Sequence, residues 1–214
     1  MKAPRDAATL SGHVKHVALI AALAAALSGC GGGGTSSATG KAQVSACPEA
    51  WQAGWQRLAD RIQAPVYCPG WLPTPLTAKI GGPYAFLSVS PARSYLVTFL
   101  DQHEGYELHA TMRGYPGRTS IPVCRLVNLV GGKKVEGQAP CFAKPSGIRR
   151  AAGITATVYT ENQDADEHHL VYAWRYKGAL YALGHHAHHS IPRRLAVANL
   201  DRMLRSLAVV RPRS

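Results

Sequence analysis

The sequence predicts an α+β fold: a mainly antiparallel sheet of about six to seven strands with an N-terminal and a C-terminal helix, stapled by two disulfides. Three observations carry this expectation. Apolar residues recur at helical spacing near both ends of the folded region, in Trp51, Trp55, Leu58 and Ile62 and again in Val197, Leu200, Leu204 and Leu207. Between them lie short runs rich in Val, Tyr, Leu and Thr, separated by Gly- and Pro-containing turns. Four cysteines, Cys47, Cys68, Cys124 and Cys141, fall within the same region.

The chain has 214 residues, with 46% hydrophobic and 17% charged residues, which is the composition of one globular domain rather than of a disordered chain. Residues 1–16 are polar and basic, and an unbroken apolar run of eleven residues follows, from Val17 to Leu27. A membrane-spanning helix needs about 20 apolar residues, so the run has the length of a signal-peptide core. It ends in Leu27-Ser28-Gly29-Cys30. This tetrapeptide resembles the lipobox of bacterial lipoproteins, in which a branched residue and two small residues precede a cysteine. The resemblance implies an export signal over residues 1–29, lipid attachment to the Cys30 sulfur, and cleavage between Gly29 and Cys30. It places the protein at the cell membrane, lipid-anchored on the extracytoplasmic face.

Residues 30–45, with Gly31 to Gly34 and then Thr, Ser, Ala and Gly, cannot bury a core and read as a flexible tether. About 15 such residues reach on the order of 20 Å. The folded domain is expected over residues 46–212. The whole chain carries a formal charge of +12; Lys2, Arg5 and Lys15 against Asp6 account for +2, leaving +10 for the mature part. Such a charge suits anionic lipid head groups or anionic wall polymers as partners, or simply solubility. No nucleic-acid-binding motif is present, and an exported protein seldom meets nucleic acid. A protein partner is not specified by the sequence.

With Cys30 lipidated, an even number of cysteines remains, and in an exported domain they read as disulfides. Cys47 opens a helix running to about Ile62, after which Ala64 to Cys68 can return along it. Cys124 and Cys141 stand at nearly matched distances from a hairpin tip at Gly131-Gly132-Lys133-Lys134. The expected pairs are therefore Cys47–Cys68 and Cys124–Cys141. No C-x-x-C occurs, so neither a redox pair nor a cysteine metal site is indicated.

Helix one should pack Trp51 and Trp55 into the core, a carbohydrate platform being the alternative use of two tryptophans. Pro65, Pro69, Pro73 and Pro75 make residues 64–75 an irregular connection. Strands are expected at Tyr84–Ser90, Ser94–Leu100, Tyr106–Arg113, Val123–Val130 and Ile154–Thr160, with turns at Asp101–Gly105 and Tyr115-Pro116-Gly117; residues 131–153 read as loop-rich. The clearest hairpin is late: Leu170–Tyr176, the turn Lys177-Gly178, and Ala179–Leu183. Apolar side chains on both of its faces predict a sheet covered on at least part of each face. A helix opening at Ile191-Pro192 and closing on Ser206-Leu207 completes the domain. This ending is similar to the C-terminal part of uncharacterised extracytoplasmic domains of bacterial lipoproteins and membrane-anchored envelope regulators. The similarity covers about 45 residues and implies an α+β fold without any catalytic signature.

No G-x-S-x-G, H-E-x-x-H or P-loop is present, and the carboxylates are scattered, so no catalytic residue is assigned. The unusual constellation is histidine: eight of the ten lie in the mature domain, six of them in His168-His169 and His185-His186-Ala187-His188-His189. With Lys177-Gly178 as the turn, opposed residues have numbers summing to 355. His169 then faces His186, Glu167 faces His188, and all four share one side of the sheet. Three imidazoles and a carboxylate suit Zn²⁺, or Cu²⁺. No motif calls for any other cofactor. The function expected is a lipid-anchored binding or interaction module of the envelope; the alternatives are a metal-binding lipoprotein using the histidines and an envelope hydrolase of unfamiliar type.

Overall fold

The computed structural model describes residues 46–213 apart from 105, 131–132, 163–168 and 187–191, and gives the backbone alone for 126–130, 133–134 and 161–162. The expected signal, Cys30 and the tether therefore lie outside the described residues, as do Glu167, His168, His188 and His189.

Helix α1, Glu49–Ile62, starts where Pro48 sets φ at −54° and its carbonyl accepts hydrogen bonds from the amides of Trp51 and Gln52. Trp55, Leu58, Ala59 and Ile62 form its buried stripe. The indole N–H of Trp55 donates to the Ala78 carbonyl at 2.8 Å, and its ring lies 6.3 Å from that of Phe99. Trp55 is thus a core residue, and Trp51 packs partly buried against the same core.

The irregular stretch expected over residues 64–75 contains a strand, β1, Val66–Pro69. Its four residues are all buried, and they pair antiparallel with four residues at the other end of the domain. Pro65 just ahead of it is no obstacle, since an X-Pro step favours extended backbone. Strands β2, Ala85–Val89, and β3, Tyr95–His103, follow. β3 continues through Asp101 and Gln102, where the sequence predicted a turn; the reversal comes at Glu104, and Gln102 stands opposite Glu107 of the next strand. That strand is β4, Tyr106–Tyr115. Beyond it the Tyr115 carbonyl accepts from Arg118 N–H at 3.1 Å around Gly117, whose φ is +75°, as the turn at Tyr115-Pro116-Gly117 requires.

The largest departure from expectation is at residues 131–153. They hold β6, Lys133–Pro140, which pairs with the expected strand β5, Val123–Val130, as a second two-stranded ribbon, and then β7, Phe142–Ala151. Ala152 and Gly153, both at positive φ, make a two-residue turn into β8, Ile154–Asn162. β7 looked like loop because it is the edge strand of the main sheet, with a bulge between Pro145 and Gly147 and mostly exposed side chains.

β9, His169–Tyr176, and β10, Ala179–His186, form the expected hairpin; Lys177 and Gly178 have φ of 47° and 72°, the signature of a type I′ turn. Helix α2, Arg193–Ser206, opens after Pro192 and buries Ala196, Leu200, Met203 and Leu204. Leu207, assigned above to the helical stripe, instead begins β11, Leu207–Val210, which is the partner of β1.

The main sheet has seven antiparallel strands in the order β2-β3-β4-β10-β9-β8-β7. α1, α2 and the β1–β11 ribbon cover one face, around Trp55, Phe99, Met112, Tyr172, Tyr181, Leu183, Leu200 and Met203. The Tyr181 hydroxyl donates to the Pro65 carbonyl at 2.8 Å and the Tyr172 hydroxyl to Asp201 at 2.9 Å, so the polar tips of these core rings tie the sheet to β1's approach and to α2. On the opposite face Val171, Ala173, Leu180 and Ala182 pack with Phe142 and Cys141. The sheet is therefore covered on part of its second face as well, as the apolar residues on both faces of the late hairpin predicted. Both disulfides are formed in the expected pairing, Cys47–Cys68 closing a separation of 21 residues and Cys124–Cys141 one of 17. Each is worth about 3 kcal/mol through lost chain entropy of the unfolded state.

Candidate metal centre

β10 lies between β4 and β9, and the register places His186 opposite His109 on one side and His169 on the other. Side chains two apart share a face, so these three imidazoles sit on the same face as Leu180, Ala182, Val171 and Ala173, away from the helices. They make a row across three adjacent strands. The rings of His169 and His186 stack at 4.1 Å with an interplanar angle of 10°, and His109 lies 4.9 Å from one and 5.0 Å from the other. The candidate ligand atoms of all three lie within 4.8 Å of one another. His109 and His186 keep only 12% and 13% of their side-chain surface exposed. No other such group of three occurs among the described residues.

The Nε2 atoms of His109 and His169 are 3.1 Å apart. With each bonded to one ion at about 2.0–2.1 Å, they would subtend roughly 95–102° at the metal, between the angles of a square plane and a tetrahedron. Two nitrogens on one ion stand no more than about 4.2 Å apart, so closing the full set needs only a small ring rotation.

Glu107 orients the centre. Its Oε1 is 2.7 Å from Nδ1 of His109 and 3.7 Å from Nδ1 of His186. A carboxylate accepts, so Nδ1 of His109 carries the proton and Nε2 presents its lone pair inward; His169 Nε2–H then donates to it in the metal-free protein. A carboxylate behind a ligating imidazole fixes its tautomer and raises its basicity. These three histidines can therefore hold a metal ion.

His185, next to a member of the triad, has a different role. It points to the opposite face, where it is buried; its Nδ1–H donates to the His109 carbonyl at 3.0 Å and its Nε2 accepts from Asn199 Nδ2 at 3.3 Å. Burial, above all, pushes its pKa down to about 4, with the neighbouring histidines adding to the effect. A neutral His185 pins β4 to β10 and both to α2.

Of the predicted ligands the described residues include two. His169 and His186 are opposed as the turn requires, while Glu167 and His188 lie outside the described residues. The third imidazole, His109, comes from a strand whose pairing with β10 no local pattern reveals. Its one signal was Glu107-x-His109, polar residues alternating with buried Leu108 and Ala110 on a strand.

A small cavity of about 10 Å³ adjoins the triad, lined by His109, His169, Thr111, Arg113, Val171 and Gly184. A larger hollow of about 410 Å³ lies elsewhere, against Ser94, Tyr115, Arg118, Pro122 and the Cys124–Cys141 bridge. Burial pushes the Tyr115 phenol up, so it remains a neutral hydroxyl there. Compared with protein-family models, with the curated proteins and with solved structures, the chain matches none.

Proposed function

We propose that the protein is a zinc-binding lipoprotein of the bacterial cell envelope, anchored through Cys30 to the extracytoplasmic face of the cell membrane. The observation that carries the metal reading is the convergence of His109, His169 and His186 with Glu107 behind His109. Imidazole suits zinc, copper and nickel; three histidines converging on one point are a donor set that zinc takes in four-coordinate sites. Zinc titrated into metal-free protein should bind at one equivalent with Kd below about 1 µM at neutral pH, weakening below about pH 6 as imidazoles protonate. Isothermal calorimetry checks this; absence of a saturable one-site isotherm overturns the reading. A binding module for an anionic partner is the second reading, favoured by the +10 charge of the mature part and by the Arg118-lined hollow.

The location rests on Leu27-Ser28-Gly29-Cys30 behind the apolar core, and two disulfides suit an oxidising compartment. No helix of the described residues is long and apolar enough to cross a membrane. Cys30→Ser should abolish acylation and leave the precursor unprocessed or release the protein from membranes. Mass spectrometry of the mature N-terminus reads the result, and an acyl-free start at another residue would refute the anchor.

A further inference from the structure

We propose that the protein binds a phosphate monoester of a small, sugar-sized body in the trough running past Tyr115, with Arg113, Arg118 and the Tyr115 hydroxyl on the phosphate. The proposal rests on the anionic-partner reading above and adds the class of the anion and its place. The hollow of about 410 Å³ is one end of that trough. A second hollow of about 210 Å³, lined by Ser88, Ser90 and Arg113, shares Ser94, Tyr115 and Cys124 with the first, so the two are continuous. The larger end has the size of a small-molecule site, about 300–1,000 Å³.

Register and charge select the occupant. Leu96 of β3 stands opposite Ser88 of β2 on one side and Arg113 of β4 on the other, and Tyr115 shares the face of Arg113 two residues along. Burial, the largest influence on the Tyr115 phenol, keeps it neutral; the Arg113 guanidinium donates to its oxygen, and the Arg118 charge also reaches it. With its oxygen accepting from Arg113, the phenol still has its O–H to donate into the trough. The described lining of both hollows carries two guanidiniums and no carboxylate. A phosphate monoester bears about −1.5 to −2 at neutral pH and accepts guanidinium forks, whereas one carboxylate would balance only half of that charge. The walls are fixed before any ligand arrives. Arg175 Nε donates to the Thr119 carbonyl at 2.8 Å, and Cys141 N–H donates to the Pro122 carbonyl at 2.8 Å, so the loop carrying Arg118 is held at two points. The Ser90 and Ser94 hydroxyls, 2.6 Å apart, close the turn between β2 and β3. A trough built in advance loses little entropy on binding. Pro116, Pro122 and Val123 give its larger end apolar surface for the C–H face of a sugar.

The test is calorimetry of glucose 6-phosphate on the full chain, freed of metal with a chelator so that phosphate cannot report through the histidines. One saturable site is expected, with inorganic phosphate at least about 10-fold weaker and glucose weaker still. Arg113→Gln and Arg118→Gln should each weaken glucose 6-phosphate about 10-fold or more, and Tyr115→Phe several-fold. Arg118 stands at an exposed turn, so its variant serves if the Arg113 variant fails to fold. Arg194→Gln, on an exposed arginine of α2, should leave binding unchanged. An equal loss from Arg194→Gln would mean general attraction to a basic surface and overturns the proposal. Polyglutamate that binds through Arg118 while glucose 6-phosphate gives no response also overturns it, and leaves the anionic-partner reading standing. Failure of both probes to bind overturns the proposal and that reading together.

Discussion

His109→Ala should weaken zinc binding at least about 100-fold, a loss as large as that from His169→Ala or His186→Ala. An ion held by three imidazoles loses a third of its protein ligands with any one of them, and ligand or outer-partner changes in metal sites are commonly worth 10–100-fold or more. Glu107→Gln should cost about 10-fold, because the amide still hydrogen-bonds His109 but no longer supports it as an anion. His103→Ala supplies the control. His103 is a histidine on the neighbouring strand, exposed and stacked on Tyr106 at 4.7 Å, and its loss should leave affinity unchanged. Calorimetry on the five variants and the parent decides the matter. Equal, small losses from His109, His169 and His103 would describe a histidine-rich surface that collects metal without a site.

Trp55→Ala should destabilise the domain by about 3–5 kcal/mol. The side chain is wholly buried between α1 and the sheet, so its removal leaves the largest void a single substitution can make there. The Ala78 carbonyl also loses the indole N–H that satisfies it at 2.8 Å, and a buried acceptor left unpaired costs about 1–3 kcal/mol within that total. Trp55→Phe separates the two contributions: it retains most of the ring contact with Phe99 and loses the hydrogen bond, and should cost roughly half as much. Trp51→Ala, on a partly buried residue of the same helix, should cost the least of the three. Urea unfolding at constant m-value gives all three numbers. A Trp55→Ala protein as stable as its parent would contradict the assignment of that ring to the core.

What could be read from the sequence was what is local. The β9–β10 hairpin announced itself through alternation around Lys177-Gly178, and its two-residue turn alone determined that His169 meets His186. Both disulfides close short loops, and proximity along the chain was enough to pair their cysteines. The α+β class and the two helices followed from periodicity. The features that stayed hidden depend on contacts distant in sequence. β4 becomes the neighbour of β10 only when the sheet order is known, so His109 could not be joined to the histidine pair. β1 and β11 are four residues each and gain their strand character from pairing with one another across the length of the domain. β7 sits at a sheet edge, where burial imposes no alternation, and Pro145 and Gly147 sit at its bulge, a place where a strand tolerates them.

The Cys47–Cys68 bridge also determines how a pull on the chain is carried. A load applied ahead of Cys47 passes through the sulfur atoms to Cys68 in β1, bypassing the segment between them. Helix α1, Glu49–Ile62, lies wholly inside that bypassed segment. Drag on the amino-terminal side therefore reaches β1 and its pairing with β11 first, while α1 and the Trp55 packing beneath it stay slack. With the bridge reduced, the same drag would run along the helix and peel it away residue by residue.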